Sequence, residues 1–108
     1  MTGNEYQNLA MRTKNEELTI GEQMANACFG LAGEVGEYLD LLKKSMFQGH
    51  KLAAEKVVEE LGDILWYVAL ACDNWEIKLD TVMEYNIEKL KKRYPDGFDS
   101  EDSINRKE

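Results

Sequence analysis

The stretch EELGDILWYV, residues 59–68, sets two carboxylates, Glu60 and Asp63, against an apolar and aromatic run. GEVGEYLDLL, residues 33–42, repeats the arrangement with Glu34 and Glu37. At about 100° per residue, positions three apart on an α-helix point almost the same way, so each pair shares a helix face. The flanking sequence has helical periodicity. One apolar stripe runs Met24, Cys28, Leu31, Val35, Leu39, Leu42, Met46, in steps of three and four. A second carries Ala54, Val57, Leu61, Ile64, Leu65, Val68, Cys72 and Trp75. Such spacing argues for amphipathic helices, and no strand alternation competes with it. The class is all-α, a helical bundle built on a long antiparallel helix hairpin.

Local signals bound the elements. Residues 4–12 are expected to form a short helix. Thr19 stands three residues before Glu22, a capping-box spacing that starts the first long helix. QGHK, residues 48–51, breaks the pattern, and DNWEIK, residues 73–78, breaks it again. Asp80 is the expected N-cap of a last helix ending near Tyr94, where Pro95 and Gly97 stop it. The domain is expected to span residues 1–98. The polar tail DSEDSINRKE, residues 99–108, has little to bury and is expected to be disordered.

The two carboxylate pairs match in direction and in height. Each borders its stripe on the same side. The pairs centre roughly on residues 35.5 and 61.5, so an antiparallel hinge near residue 48.5, about 20 Å from each at 1.5 Å per residue, brings them level. Four acids at one site repel one another unless some protonate or a cation neutralises them. An all-oxygen donor set favours Mg²⁺, with Mn²⁺ or Ca²⁺ as substitutes. The absence of histidine or cysteine nearby argues against zinc. An isolated pair of this kind is ordinarily a solvated face; the match between two pairs is what points to metal.

Other residues take meaning from that site. Tyr67, one turn after Asp63, is placed to orient a ligand or water, or to serve as a boundary tyrosine. Gly30, Gly33 and Gly36 each cost a helix about 1 kcal/mol relative to alanine, which suggests close approach by another backbone or a ligand. Asn86, Lys89 and Arg93 fall within about 60° of one another on the last helix. Alone they would be a solvated face; beside a carboxylate-bound metal they suit a polyphosphate. Lys44, on the Glu37 side of its helix, adds a further candidate charge.

Composition bounds the rest. The chain has 108 residues, enough for one small domain with a marginal core. Its 13 basic and 21 acidic residues leave a net charge of −8, which repels nucleic-acid backbones. No apolar run approaches the ~18 residues of a membrane span. The N-terminus lacks the basic-then-apolar order of a signal peptide. Cys28 and Cys72 both fall on apolar stripes and read as reduced core thiols. These features predict a cytoplasmic protein.

Beyond these acids, the chain resembles the all-α NTP pyrophosphohydrolases, specifically the MazG-like group. The resemblance is carried by GLAGEVGEYLDLLKK, EELGDILWYVAL, NIEKLKKRYPDGF and the opening YQNLAMRT, across residues 4–98. It implies Mg²⁺-dependent cleavage of a nucleoside triphosphate between the α and β phosphates, giving a nucleoside monophosphate and pyrophosphate. It implies Glu34, Glu37, Glu60 and Asp63 as metal ligands. One of these, or Glu59 beside them, would help activate the attacking water. Asn86, Lys89 and Arg93 would hold the polyphosphate. This chain has one copy of the motif where larger members have two domains. The resemblance also implies a homodimer or homotetramer. Trp66, Leu70 and Val58 on one helix, and Ala25, Phe29 and Ala32 on the other, lie off the main stripes and are the expected second face. Two alternatives stay open: phosphoribosyl-ATP pyrophosphohydrolase, and a non-catalytic helical module that binds metal or a basic partner.

Overall fold

The computed structural model describes residues 1–106; residues 107–108 of the expected tail lie outside the described residues. Helix α1 (Gly3–Ala10) opens with a capping box between Thr2 and Glu5 and runs into a 3₁₀ turn at Met11–Thr13. Helix α2 (Ile20–Phe47) begins at the expected box, with Thr19 Oγ1 accepting from the Glu22 amide at 3.2 Å and Glu22 Oε1 accepting from the Thr19 amide at 2.9 Å. Gly49, at φ +70°, turns the chain after it, where the left-handed conformation suits glycine. Helix α3 (Ala54–Asn74), α4 (Leu79–Arg93) and a short α5 (Ser100–Ile104) follow. Helix α5 falls within the segment assigned to the polar tail.

The dominant packing is α2 against α3, an antiparallel hairpin. Its register is set by specific pairs. Asn74 Nδ2 donates to the Gln23 carbonyl, the Tyr67 ring lies against Gly30, and Glu34 meets Asp63. Each pair centres on residue 48.5 of the sequence, so the hinge falls where the pattern break places it. Helix α1 crosses α3 and supports α4.

The packed faces depart from the expected stripes. On α2 it is Gln23 and Ala27 that are buried, while Val35, Leu39 and Met46 are 40%, 59% and 70% exposed. On α3, Leu61 and Leu65 are largely exposed, and Leu70, expected on an outer face, is fully buried. Small residues such as Ala27 and Gly30 let the two helices approach; Val35, Leu39 and Met46 of the first stripe and Leu61 and Leu65 of the second are left exposed, while Cys72 of the second is buried. Cys28 is accordingly exposed, which corrects its assignment as a core thiol; Cys72 is buried. Trp66 is not on an outer face either. Its Nε1 donates to the Ala10 carbonyl at 2.9 Å and to Thr13 Oγ1 at 3.0 Å, so its own N-terminal segment takes it up. Lys78, rather than Asp80, is the N-cap position of α4.

The buried apolar set is small: Ala10, Ala27, Ala69, Leu70, Cys72 and Leu79. The radius of gyration is 17.0 Å. A compact domain of similar length has about 13 Å, so a single chain is open rather than closed on itself.

Candidate metal centre

Three carboxylates converge across the hairpin. Glu34 comes from α2 and Glu60 and Asp63 from α3, and one oxygen from each lies within 4.8 Å of the others. Register explains the convergence: Glu34 is one helical turn beyond Gly30, and Asp63 one turn before Tyr67, so the Gly30–Tyr67 contact brings the acids level. Glu34 and Glu60 are half-buried and Asp63 is exposed, giving a site with one side open to solvent.

The electrostatics show the strain of that convergence. Burial pushes the Glu34 carboxyl above its ordinary range, and the charges of Asp63, Glu60 and Glu37 push it further. Glu60 Oε2 is buried without a hydrogen-bond partner. A buried carboxylate oxygen of this kind calls for a donor or a cation. The all-oxygen set and the orphaned Glu60 oxygen fit a hard divalent ion, and these residues are able to hold one.

The other predicted residues stand at different distances from this centre. Glu37 is exposed and outside the converging set, although its charge reaches Glu34. Glu59 is exposed and 3.8 Å from Lys56, one turn earlier on the same helix. Tyr67 is held between Gly30 and an edge-on Trp66 ring, 5.0 Å between centroids. Lys44 pairs with Asp40 at 2.9 Å; that bond raises its pKa, with a smaller contribution from Glu37. Asn86, Lys89 and Arg93 are on α4, whose main packing partner is α1, so the hairpin does not itself gather them to the acids.

Sequence reasoning offered Tyr6 only as an aromatic able to stack on a base or to pack in the core, not as a neighbour of the acids. Burial raises its phenol pKa, and the charge of Asp63 raises it further. Its proximity to Asp63 was not legible, since its approach to α3 depends on how α1 packs on the hairpin.

Comparison with known proteins agrees with this geometry. The MazG nucleotide pyrophosphohydrolase domain matches residues 23–98, which include the α2–α3 hairpin apart from the first three residues of α2, all four acids and α4. The gene 37 protein of Mycobacterium phage L5 is 31% identical over 80 residues, covering 70% of each chain. No solved structure matches. The chain belongs to the MazG nucleotide pyrophosphohydrolase domain family. A divalent-metal, nucleotide-directed chemistry is the class that this family and the acid cluster define.

Proposed function

We propose that this protein is a Mg²⁺-dependent nucleoside triphosphate pyrophosphohydrolase that cleaves between the α and β phosphates, releasing a nucleoside monophosphate and pyrophosphate. The observation that carries the reading is the convergence of Glu34, Glu60 and Asp63 around the unpartnered Glu60 Oε2, within the family's matched segment. Glu34, Glu60 and Asp63 hold the ion, and Glu37, one turn from Glu34, completes the set. Bound Mg²⁺ supplies charge neutralisation for the phosphates and a more acidic water. One of these acids, or Glu59 next to Glu60, accepts a proton from the attacking water. Tyr67, fixed by Gly30, orients the open side. Asn86, Lys89 and Arg93, with Lys44, hold the polyphosphate by charge-assisted hydrogen bonds.

The working form is a homo-oligomer, a dimer or a dimer of dimers. The open shape of one chain supports this, as does the uncovered stripe of Val35, Leu39, Met46, Leu61 and Leu65. Soluble monomers rarely leave so continuous an apolar surface in water. The reaction belongs in the cytoplasm, where its substrates are. Among the described residues no helix is long and apolar enough to cross a membrane.

A turnover screen tests the assignment. Canonical, deoxy and modified nucleoside triphosphates and phosphoribosyl-ATP are incubated with the protein and Mg²⁺, and products are separated. Release of pyrophosphate with a monophosphate is expected. Inorganic phosphate with a diphosphate would place the cut elsewhere, and no product from any member would leave a non-catalytic metal-binding module.

A further inference from the structure

Helix α4 does not cap itself. Lys78 at its N-cap position makes no side-chain bond to the first turn. The first amides of a helix need acceptors, and these come from another helix. The Leu79 amide donates to Gln7 Oε1 at 2.8 Å, and the Asp80 amide donates to Asn4 Oδ1 at 3.0 Å. The tie is reciprocal. Asp80 Oδ1 accepts from the Asn4 amide at 3.2 Å, and Gln7 Nε2 donates to the Ile77 carbonyl at 3.0 Å. The Asn4 and Gln7 side chains thus hold the start of α4 through three hydrogen bonds, and the Asn4 backbone N–H adds a fourth, to the Asp80 side chain. Leu79, the one buried residue of α4, seats beside Gly3 in the same place.

Helix α1 is in turn fixed to the helix that carries Glu60 and Asp63. Trp66, one turn beyond Asp63, donates to Ala10 and Thr13, and Lys14 pairs with Asp73 at 2.8 Å. Besides the short chain link at residues 75–78, α1 thus ties α4 to the helix that carries two of the acids.

We propose that Asn4 and Gln7 are positioning residues: by gripping the first turn of α4 they aim its Asn86, Lys89 and Arg93 face at the metal centre. This rests on the reading of that face as the polyphosphate holder. A merely local role, capping α4 so that it stays helical, makes a different prediction, and a substitution at Lys78 separates the two. Lys78→Ser places a side-chain cap on α4 in its own chain. It restores the helix end without restoring the tie to α1.

The experiment compares wild type, Gln7→Ala, Lys78→Ser and the double variant. Stability is read by denaturation, and KM and kcat are read with a nucleoside triphosphate and Mg²⁺. A distance distribution comes from pulsed electron paramagnetic resonance between a spin label on the exposed Cys28 and one on Glu88→Cys, diluted with unlabelled chain. The double variant is expected to recover stability while KM stays raised by about tenfold or more, with kcat changed less than about threefold. Its distance distribution is expected to stay broader than that of wild type. Return of KM and of the narrow distribution together with stability would reduce Gln7 to a cap and overturn the proposal. So would a wild-type KM in Gln7→Ala, or a double variant that still unfolds. A broadened distribution in Gln7→Ala alongside a wild-type chain that turns over nothing would overturn the functional reading while leaving the mechanical tie in place; positioning of a substrate face would fall with that reading.

Discussion

The ring of Tyr67 on α3 occupies the space that a side chain on Gly30 of α2 would need. This contact holds the two long helices close one turn from the acid cluster. It explains why a helix-weakening residue stands in the middle of α2 at this position. By contrast, Gly33 has nothing near its missing side chain within one chain.

Gly30→Ala is therefore expected to destabilise by roughly 1–3 kcal/mol, the usual cost of overpacking a close contact. The cost should shrink when Tyr67 is also alanine, because the two positions are directly coupled. Gly33→Ala, with open space around it, should instead gain up to about 1 kcal/mol from helix propensity. Urea midpoints of Gly30→Ala, Tyr67→Ala, their double variant and Gly33→Ala check this. Equal effects at Gly30 and Gly33 would remove the contact from the account.

The acid cluster sets up an opposed effect on stability and activity. Burial and neighbouring negative charge raise the folded-state pKa of Glu34 above its unfolded value. A carboxyl raised in this way disfavours the folded state once it ionises. Its penalty is absent below the unfolded pKa and grows as pH rises through the carboxylate range to the raised value. Glu34→Gln should therefore make the metal-free protein more stable at neutral pH, with the gain vanishing at about pH 4, near the ordinary glutamate pKa. Turnover should fall by more than roughly 100-fold, beyond the loss typical of an outer-shell partner, and added Mg²⁺ should no longer raise the melting temperature. Denaturation at two pH values, with and without Mg²⁺, reads both halves. A variant less stable than wild type at neutral pH without metal would contradict the repulsion.

Glu76 is the one non-glycine residue with positive φ among the described residues, at +54°. It follows the C-cap of α3, where the Ile77 amide bonds the Cys72 carbonyl at 2.9 Å and the Glu76 amide bonds the Asp73 carbonyl at 3.0 Å. This closure calls for a left-handed residue, ordinarily glycine. Glu76→Gly is expected to stabilise the fold by about 1 kcal/mol by removing the side-chain clash of that conformation. The chemical denaturation midpoint should rise; a fall would mean that the Glu76 side chain contributes more than its backbone conformation costs.

Much of this was legible in the sequence, and the failures share a cause. The Thr19–Glu22 box, the break at Gln48–Gly49 and the level matching of Glu34 with Glu60 and Asp63 are local or arithmetic features, and each appears where the residues place it, although Glu37 stays outside the cluster. The buried face was not legible. Both long helices carry apolar residues on more than one face, and hydrophobicity alone does not say which face meets its own chain. The hairpin closes through Ala27 and Gly30, where small size allows approach, so larger residues of the stripe such as Val35, Leu39 and Met46 remain outside. The start of α4 was misread for a related reason. Asp80 has the chemistry of a cap, but its carboxylate serves Asn4, 76 residues away in the chain.

That reversal of faces leads to a prediction about assembly. Leu39 is 59% exposed and Leu61 is 48% exposed, so in an isolated chain neither has enough contacts for its loss to unfold the domain. By the helical wheel both stripes fall on the same side of the antiparallel pair, forming one apolar surface along the hairpin. Trp66, in contrast, is bonded within its own chain. A charge at Leu39 should break an oligomer, because an unpaired carboxylate buried in an apolar interface carries a large desolvation cost. Trp66→Phe should lower stability by roughly 0.5–1.5 kcal/mol through loss of the indole bonds to the Ala10 carbonyl, which keeps its bond from Thr13 Oγ1, while the oligomer keeps its mass. Light scattering at micromolar concentration distinguishes these outcomes. Leu39→Glu is expected to give a smaller assembly with its helices retained and its turnover reduced, since the neighbouring turn carries Glu34 and Glu37. If Leu39→Glu keeps the wild-type mass while Trp66→Phe loses it, the interface lies on the Trp66 side after all.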